Sequence, residues 1–120
     1  MRPEVVIARR RAERDGLLRR AGAFAAALDE GLEVSGVVVY GSVARGDFNL
    51  WSDIDVLVVA DRLPDRLLDR FDRLPPPPPG VQAIAWTPRE WAHRRARRDP
   101  IAVEAVERGV WLVGAPDQLQ

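Results

Sequence analysis

The sequence predicts an α+β domain in which helices flank a small mixed β-sheet of about four strands. Its 120 residues are the size of one compact domain, so we expect residues 1–120 to form a single unit. Short runs of β-branched residues alternate with segments of helical periodicity. The predicted order is helix, strand, strand, helix, strand, helix, helix, strand, which places helices on one or both faces of the sheet.

Composition excludes several classes of protein. The 18 basic and 18 acidic residues cancel, so no overall field favours nucleic acid or an anionic membrane, and a nucleic-acid partner is not expected. The chain has no cysteine, which excludes disulfides, thiol catalysis and Cys-ligated zinc. No apolar run approaches the ~20 residues needed to span a bilayer. The N-terminus is charged and lacks a signal-peptide core, so we expect a cytoplasmic protein.

The first part of the chain reads as one helix and two strands. Apolar residues recur at helical spacing from Arg9 to Leu32, and Gly31 is expected to end that helix. The apolar stripe comprises Leu17, Ala21, Phe24, Ala25 and Leu28. Val34 to Tyr40 is β-branched and predicts a buried strand, and Asp53 to Val59 predicts a second.

A second helix is predicted to open at Pro64. Its apolar face would comprise Leu67, Leu68, Phe71 and Leu74. Five prolines, Pro75 to Pro79, stop it. Such a run is either a polyproline II ligand for an aromatic groove or a stiff connector. We favour the connector, because the run is short and has structured segments on both sides.

The last third predicts two strands and two helices. Val81 to Trp86 reads as a strand, and Thr87 to Glu90 is a capping box with proline at the first helical position. Asp99 and Pro100 begin another helix, which Gly109 ends. Val110 to Val113 is then a short strand at the sheet edge. An apolar edge needs covering, and a homodimer would cover it.

Two aspartates at the start of the second predicted strand suggest a metal site. Residues i and i+2 of a strand point to the same face, so Asp53 and Asp55 project side by side. Two close carboxylates repel one another unless a cation lies between them. Carboxylate oxygens suit Mg²⁺, which fills its remaining positions with waters and substrate phosphates.

The loop after the first strand is suited to phosphate. Gly41 lets the backbone approach a ligand closely, Ser42 adds a hydroxyl donor, and Arg45 could add a charge-assisted contact. Each piece alone is weak, since Gly-Ser is most often a turn and Asp-x-Asp a solvated strand end. Their conjunction is stronger, because a phosphate cradle and a carboxylate pair together make a Mg²⁺-triphosphate site.

The stretch from Gly41 to Val59 resembles the signature of the DNA polymerase beta-like nucleotidyltransferases. Gly-Ser is followed by Arg-Gly and then by Ser-Asp-x-Asp on the next strand, which brings Ser52 into the motif. The whole chain is similar to the stand-alone minimal nucleotidyltransferases of bacteria and archaea. The resemblance implies a nucleotidyltransferase fold, triphosphate binding at Gly41 and Ser42, and Mg²⁺ at Asp53 and Asp55. Some relatives are antitoxins that adenylylate a tyrosine of a HEPN-type toxin.

One position departs from that family. Active members use a third carboxylate from a later strand as a metal ligand or general base, and Gln82 stands where we expect it. An amide cannot accept the proton. Glu90 is better explained by the capping box, and Asp47 as a solvated loop residue.

Several other residues have an unexceptional explanation. His93 stands among arginines and is more simply part of a solvated helix face than a general base; those arginines suit solubility or a partner contact before RNA. The tryptophans are expected in the core, except Trp51, which lies in the motif loop and could pack on a base or a partner.

Two functions of different class follow from the sequence. The first is an enzyme that transfers a nucleoside monophosphate from ATP or another triphosphate to a hydroxyl of a separate macromolecule. The second, favoured by Gln82, is a non-catalytic nucleotide-binding subunit that masks a HEPN-type partner. A third possibility is an isolated domain with a decayed site.

Overall fold

A four-stranded mixed sheet forms the centre of the computed structural model, which describes residues 2–49 and 51–119. The strands are β1 (Val34–Tyr40), β2 (Ile54–Ala60), β3 (Val81–Trp86) and β4 (Val110–Val113). They lie in the order β3-β2-β1-β4. β1 pairs antiparallel with both β2 and β4, whereas β2 and β3 are parallel. The predicted α+β class and mixed sheet are confirmed.

Helices cover both faces of the sheet. Alternate strand residues such as Val37 and Val56 pack on the face of α1 (Pro3–Ala26), where Phe24 is buried. Val38 and Leu57 belong to the opposite face. That second face is covered by α4 (Pro88–Ala96) and α5 (Pro100–Arg108), and its buried helix residues are Trp91, Ala102 and Ala105. Because side chains alternate between the two faces of each strand, the sheet contributes to two separate hydrophobic cores.

The first helix differs from its predicted bounds at both ends. It starts at Pro3, whose fixed φ suits the first helical position. Its first two turns are exposed, and their apolar residues Val5, Val6 and Ile7 are consecutive instead of recurring at helical spacing. The helix ends at Ala26, and Gly31 lies instead in a 3₁₀ turn, Glu30–Leu32, capped by Asp29. The prediction of a helix from Arg9 to Leu32 is wrong at these ends.

The helix predicted after Pro64 is reduced to one turn, α3 (Leu67–Arg70), and a 3₁₀ turn, Phe71–Arg73. Leu67, Leu68 and Phe71 are 55%, 73% and 59% exposed, so the predicted apolar face is wrong except at Leu74. Arg70 is buried in their place. Its guanidinium donates to the carbonyls of Pro64 (2.7 Å) and Ala85 (3.0 Å) and to Glu90 (2.6 Å). These bonds satisfy the buried cation.

The helix starts in the last third agree with prediction. The Thr87 hydroxyl accepts a hydrogen bond from the amide of Glu90 at 3.2 Å, and the Glu90 carboxylate accepts one from the amide of Thr87 at 2.8 Å. Asp99 caps α5 by accepting from the amide of Ile101. β4 is an edge strand, as expected. Within the described ranges, none of the helices has the length and apolar character that crossing a membrane requires.

Candidate active site

Strand register brings three polar side chains into one row at the end of the sheet. Asp55 of β2 lies opposite Tyr40 of β1 and beside Gln82 of β3. Paired residues share a face, and this one is the face covered by α4 and α5. Asp53 lies just before β2, and its Oδ2 accepts a hydrogen bond of 2.9 Å from Nε2 of Gln82. The structure thus brings both predicted metal-binding carboxylates and Gln82 together.

Gly41 brings the main chain against one of these carboxylates. Its φ of 78° and ψ of −155° are conformations that side chains avoid. A Cβ atom built there would lie 2.5 Å from Oδ2 of Asp55. The one-turn helix α2 (Ser42–Arg45) begins immediately after it. The predicted phosphate cradle and the carboxylate pair are therefore adjacent.

Two arginines of α1 hold α2 and the loop that follows it. Arg14 donates to the carbonyls of Val43 (3.0 Å) and Ala44 (2.7 Å), which lie within α2. Arg10 donates to the carbonyls of Gly46 (3.1 Å) and Phe48 (2.6 Å), and its guanidinium carbon lies 4.0 Å from the centre of the Phe48 ring. Charge-assisted bonds of this kind fix the loop to α1. No local pattern in the sequence indicates these contacts, because Arg10 and Arg14 lie about 30 residues or more from their partners.

Arg45 is already paired with acidic residues. Its Nε lies 3.2 Å from Oδ2 of Asp47, and its guanidinium also donates to the carboxylate of Glu104 on α5. The hydrogen bonds that Arg45 donates to Asp47 and Glu104 raise its pKa. Arg45 therefore lies beside the site, but a phosphate would have to compete with two carboxylates for it.

The site carries an excess of negative charge. Burial, followed by the charges of Asp53 and Glu104, raises the pKa of Asp55, and Arg45 opposes this only in part. Burial also raises the pKa of Tyr40 to about 12, with further contributions from Asp55, Glu104 and Asp99. Such a concentration of carboxylates favours a bound cation.

The donor set fits a hard divalent cation. Asp53 and Asp55 offer carboxylate oxygens, and a cation would offset the burial and the neighbouring charges of Asp53 and Glu104 that raise the pKa of Asp55. Across residues 2–49 and 51–119, no cluster of three or more acidic or histidine side chains is arranged to hold a metal. The protein would thus supply two carboxylates, and water and phosphate oxygens would complete the coordination.

Other residues considered from the sequence have structural roles or lie elsewhere. The Ser52 hydroxyl accepts from the amide of Asn49 at 2.9 Å and closes the turn before β2. Glu90 bonds Thr87 and Arg70. His93 is exposed on α4, where it lines a surface groove of about 710 Å³. The other basic residues of this groove are Arg89, Arg94, Arg97 and Arg98.

Sequence reasoning missed Glu104 and Tyr40. Tyr40 is the last residue of β1. It lies on the same face as Asp55 because the two residues are paired, and the sequence does not give that pairing. Glu104 reaches the site from α5, 59 residues after Arg45, so no local pattern indicates it.

A solved structure shares this fold. It is a crystal structure at 1.40 Å of a protein from Sulfolobus solfataricus named as a candidate nucleotidyltransferase. The two chains superpose with a TM-score of 0.57 at 19% identity, over 85% of this chain and 84% of the other. No curated protein matches this chain.

The model of the nucleotidyltransferase domain family matches residues 23–109. That span contains the Gly41 cradle, both aspartates, Gln82 and Glu104, and it is well over half of the chain. Domains of this kind generally use a nucleoside triphosphate and a divalent metal. The chain belongs to the nucleotidyltransferase domain family.

Proposed function

We propose that this protein transfers a nucleoside monophosphate from ATP or another nucleoside triphosphate, with Mg²⁺, to a hydroxyl of a macromolecular acceptor. The observation that carries this proposal is the approach of the Gly41 backbone to Asp55, with Asp53 beside it. A cradle and a carboxylate pair in contact suit a metal-bound triphosphate. Family membership supplies the class of donor.

Each residue of the site has a proposed role. Asp53 and Asp55 would hold Mg²⁺, which when bound neutralises charge on the phosphates and polarises the α-phosphate. Gly41 and Ser42 would contact the β- and γ-phosphates, and Ser52 would hold the turn that places Asp53. Arg45 would turn from Glu104 and Asp47 to the phosphates, since its guanidinium is exposed.

The reaction needs a group to accept a proton. The acceptor oxygen would bond to the α-phosphorus while the bond to pyrophosphate breaks, and the hydroxyl proton must leave. Gln82 cannot accept it. Glu104 is a further carboxylate whose charge acts on Asp55, and its bond to Arg45 occupies it. Movement of Arg45 to phosphate would free Glu104 for that role.

We propose a separate protein as the acceptor. The described residues form one sheet with its helices, and they include no second unit that could carry the acceptor hydroxyl. A partner of the HEPN type follows from the resemblance to minimal nucleotidyltransferases, in which case the protein would act as an antitoxin. The basic groove on α4 suits an acidic protein surface. A homodimer through the edge strand β4 is the alternative association.

The second candidate function is a nucleotide-binding subunit that masks its partner without transfer. The hydrogen bond from Gln82 to Asp53 favours it, because an amide stands on the strand beside the aspartates and takes up one carboxylate oxygen. Such a subunit would keep the nucleotide and release no pyrophosphate.

Calorimetry tests the shared part of both functions. We expect at least one of ATP, GTP, CTP and UTP to bind with Mg²⁺, and Asp53→Asn with Asp55→Asn to abolish binding. Asp61→Asn is a matched control, since Asp61 is exposed at the opposite end of β2. Absence of binding by all four nucleotides contradicts the proposal.

Mass spectrometry separates the two functions. A co-purified partner incubated with ATP and Mg²⁺ should gain the mass of one or more nucleotidyl groups if the protein is an enzyme. Stable association without a mass change would support the masking subunit instead.

A further inference from the structure

Two grooves meet at the side chain of Arg94. The first is the basic groove on α4, with a volume of about 710 Å³. The second, which we call the apolar groove, has a volume of about 370 Å³ and lies between α3, β3 and the start of α5. Arg94 lines both grooves, and the neighbouring residues Pro100 and Ile101 of α5 line one groove each. The two grooves therefore form one continuous surface.

The apolar groove presents hydrophobic side chains that the core does not bury. Leu67 of α3 and Phe71 of the following 3₁₀ turn line it, and both are more than half exposed. Its other large apolar side chains are Leu74, Ile84, Trp86 and Ile101. The guanidinium carbon of Arg94 lies 4.8 Å from the ring centre of Trp86. An exposed apolar patch beside charged groups is typical of a protein interaction site.

The segment that carries Leu67 and Phe71 is anchored to the rest of the fold. Arg70 lies between them in sequence, and its buried guanidinium donates to the carbonyl of Ala85 on β3 at 3.0 Å. Leu74, at the end of the segment, is buried in the core. Because Arg70 and Leu74 face inward, Leu67 and Phe71 stay at the surface. An ordered surface of this kind loses little conformational entropy when a ligand binds.

The basic groove offers more free positive charge than negative charge. Its acidic residues, Glu90 and Asp99, already accept hydrogen bonds from arginines and from main-chain amides. Three of its arginines are exposed and form no ion pair within residues 2–49 and 51–119, namely Arg89, Arg97 and Arg98. The groove therefore favours a ligand with negative charge.

A third groove joins this surface to the candidate active site. It runs along the edge strand β3 and has a volume of about 640 Å³. Phe71 and Ile84 line both this edge groove and the apolar groove, and Gln82, which bonds Asp53, lines the edge groove as well. Gln82 and Ile84 lie on the same face of β3, about 7 Å apart along the strand. Asp72 is the one charged residue that lines the edge groove, so we place the acidic residues of a ligand at the basic groove.

We propose that this surface docks one segment of the partner protein, in which acidic residues flank bulky apolar ones. The apolar side chains would fill the apolar groove, and the acidic side chains would pair with Arg89, Arg97 and Arg98. The docked segment would lie beside Gln82 and hold the acceptor hydroxyl near the metal site. The inference deepens the proposed function, on which the role of the partner as acceptor rests.

Two other occupants fit this surface less well. RNA offers phosphates to the arginines, but it has no aliphatic side chain for the groove beside Leu67 and Ile101. A second copy of this chain could offer the exposed apolar run from Val5 to Ile7. Arginines stand on both sides of that run, at Arg2 and from Arg9 to Arg11, so the basic groove would repel it.

Peptide selection supplies a probe for the surface. Random peptides displayed on phage are selected against the intact protein in the absence of nucleotide, and the most enriched sequence is synthesised with a fluorescent label. We expect the enriched peptides to combine Asp or Glu with Leu, Ile, Phe or Trp. Enrichment of basic peptides, or of no peptide, would overturn the inference.

Fluorescence anisotropy then tests the apolar groove. Phe71→Ser is expected to weaken binding of the labelled peptide at least about tenfold, the effect of losing a central apolar contact. Leu68→Ser is the matched control, because Leu68 is more exposed than Phe71 and lies outside the apolar and edge grooves. Both positions are at the surface, so thermal unfolding should show that both variants remain folded. Equal losses of peptide affinity in the two variants would contradict the docking site.

A second pair of variants tests the basic groove. Arg97→Glu with Arg98→Glu is expected to weaken peptide binding at least about tenfold, because repulsion replaces attraction. Arg9→Glu with Arg11→Glu changes the net charge equally on the exposed surface of α1 and should leave peptide affinity nearly unchanged. A similar loss in both would show that net charge, not the groove, attracts the peptide.

The outcomes distinguish this inference from the proposed function. The variants leave Gly41, Asp53 and Asp55 intact, so the affinity for Mg²⁺-ATP should not change. Peptide binding that depends on Phe71, without binding of any nucleoside triphosphate, would keep the docking surface and remove its role in transfer. Nucleotide binding without a peptide that depends on Phe71 would overturn the docking surface alone.

Two further results would assign the surface to another occupant and overturn the inference. One is binding of single-stranded RNA, in place of a peptide, that the Arg97→Glu and Arg98→Glu variant loses and Phe71→Ser keeps. The other is self-association in sedimentation experiments that Phe71→Ser abolishes and Leu68→Ser does not.

Discussion

Gly41 and Asp55 occupy positions that only a glycine at residue 41 permits, because a Cβ atom there would lie 2.5 Å from Oδ2 of the aspartate. The contact joins the end of β1 to the start of β2, which pair antiparallel. It places main-chain atoms of the proposed phosphate cradle against a proposed metal ligand.

Gly41→Ala should lower both stability and nucleotide affinity. A side chain at this backbone conformation costs about 1–3 kcal/mol of unfolding free energy, and the clash should also displace Asp55. We expect Mg²⁺-ATP affinity to fall at least about tenfold, because displacement of the metal-binding carboxylate of Asp55 should cost more than about 1.4 kcal/mol of binding free energy. Urea unfolding and calorimetry measure the two effects.

Gly46→Ala is the control for strain alone. Gly46 also has a positive φ, 90°, but nothing lies within 4 Å of a Cβ built there. It should lose about 1 kcal/mol of stability and keep its nucleotide affinity. Equal affinity losses in the two variants would show that the contact with Asp55 has no special role.

Asp55→Asn should stabilise the protein when no metal is present. The raised pKa means that the charged form of Asp55 is less favourable in the folded state than in the unfolded one. This penalty is present at neutral pH and vanishes below the ordinary pKa of 3.8. Because the group is partly solvated, the gain at pH 7 should be below about 1 kcal/mol. Thermal unfolding at pH 7 and pH 3 tests it: a gain of equal size at both pH values would contradict this cause.

Gln82→Glu should create a stronger metal site. The new carboxylate would stand beside Asp55 and next to Asp53, so Mn²⁺ affinity in the absence of nucleotide should rise about tenfold. Without metal the variant should unfold at a lower temperature, because a carboxylate pair replaces a hydrogen bond. The electron paramagnetic resonance signal of free Mn²⁺ measures this affinity. Gln82→Leu loses the same bond without adding charge, and equal Mn²⁺ affinities for the two variants would refute the prediction.

Glu104→Gln should tighten the binding of phosphate. Arg45 pairs with Glu104 and Asp47, and loss of one carboxylate leaves the guanidinium freer to contact a ligand. We expect tripolyphosphate to bind a few-fold more tightly by calorimetry. Glu107→Gln changes net charge equally on the same helix, and Glu107 makes no ion pair within residues 2–49 and 51–119. A similar gain in tripolyphosphate affinity in both variants would show that the change in net charge causes it.

Arg70→Met should destabilise the fold and change its response to acid. Loss of the buried guanidinium leaves Glu90 with only its bond from the Thr87 amide and removes the donor to the carbonyls of Pro64 and Ala85, at a cost of about 2–4 kcal/mol at pH 7. Burial opposes the charge of Glu90, but the bonds from Arg70 and Thr87 outweigh it and hold the pKa of Glu90 below its ordinary 4.5. Stability from this depressed pKa is present above pH 4.5 and lost as pH falls through the folded value. Urea unfolding from pH 7 to pH 3 should show a shallower acid loss in the variant; parallel curves would contradict the linkage.

Local pattern predicted those parts of the protein that depend on neighbours in sequence. The β-branched runs of β1 and β2 marked the strands, and side-chain alternation placed Asp53 and Asp55 together before any fold was known. The Thr87 capping box located a helix start because its bonds span only three residues. The Gly-Ser and Asp-x-Asp motif identified the family for the same reason, although the roles of its residues remain predictions.

Tertiary structure decided what depends on segments far apart in the chain. Helical periodicity at Leu67, Leu68 and Phe71 predicted an apolar face, but Arg70 is the buried residue, because the carbonyl of Ala85 and the carboxylate of Glu90 lie where a cation can reach them. The need for glycine at position 41 comes from Asp55 on the next strand, and Arg45 bonds Glu104, which lies 59 residues later in the chain. Strand register and helix docking, which come from burial of two cores rather than from local spacing, brought these charges to one end of the sheet.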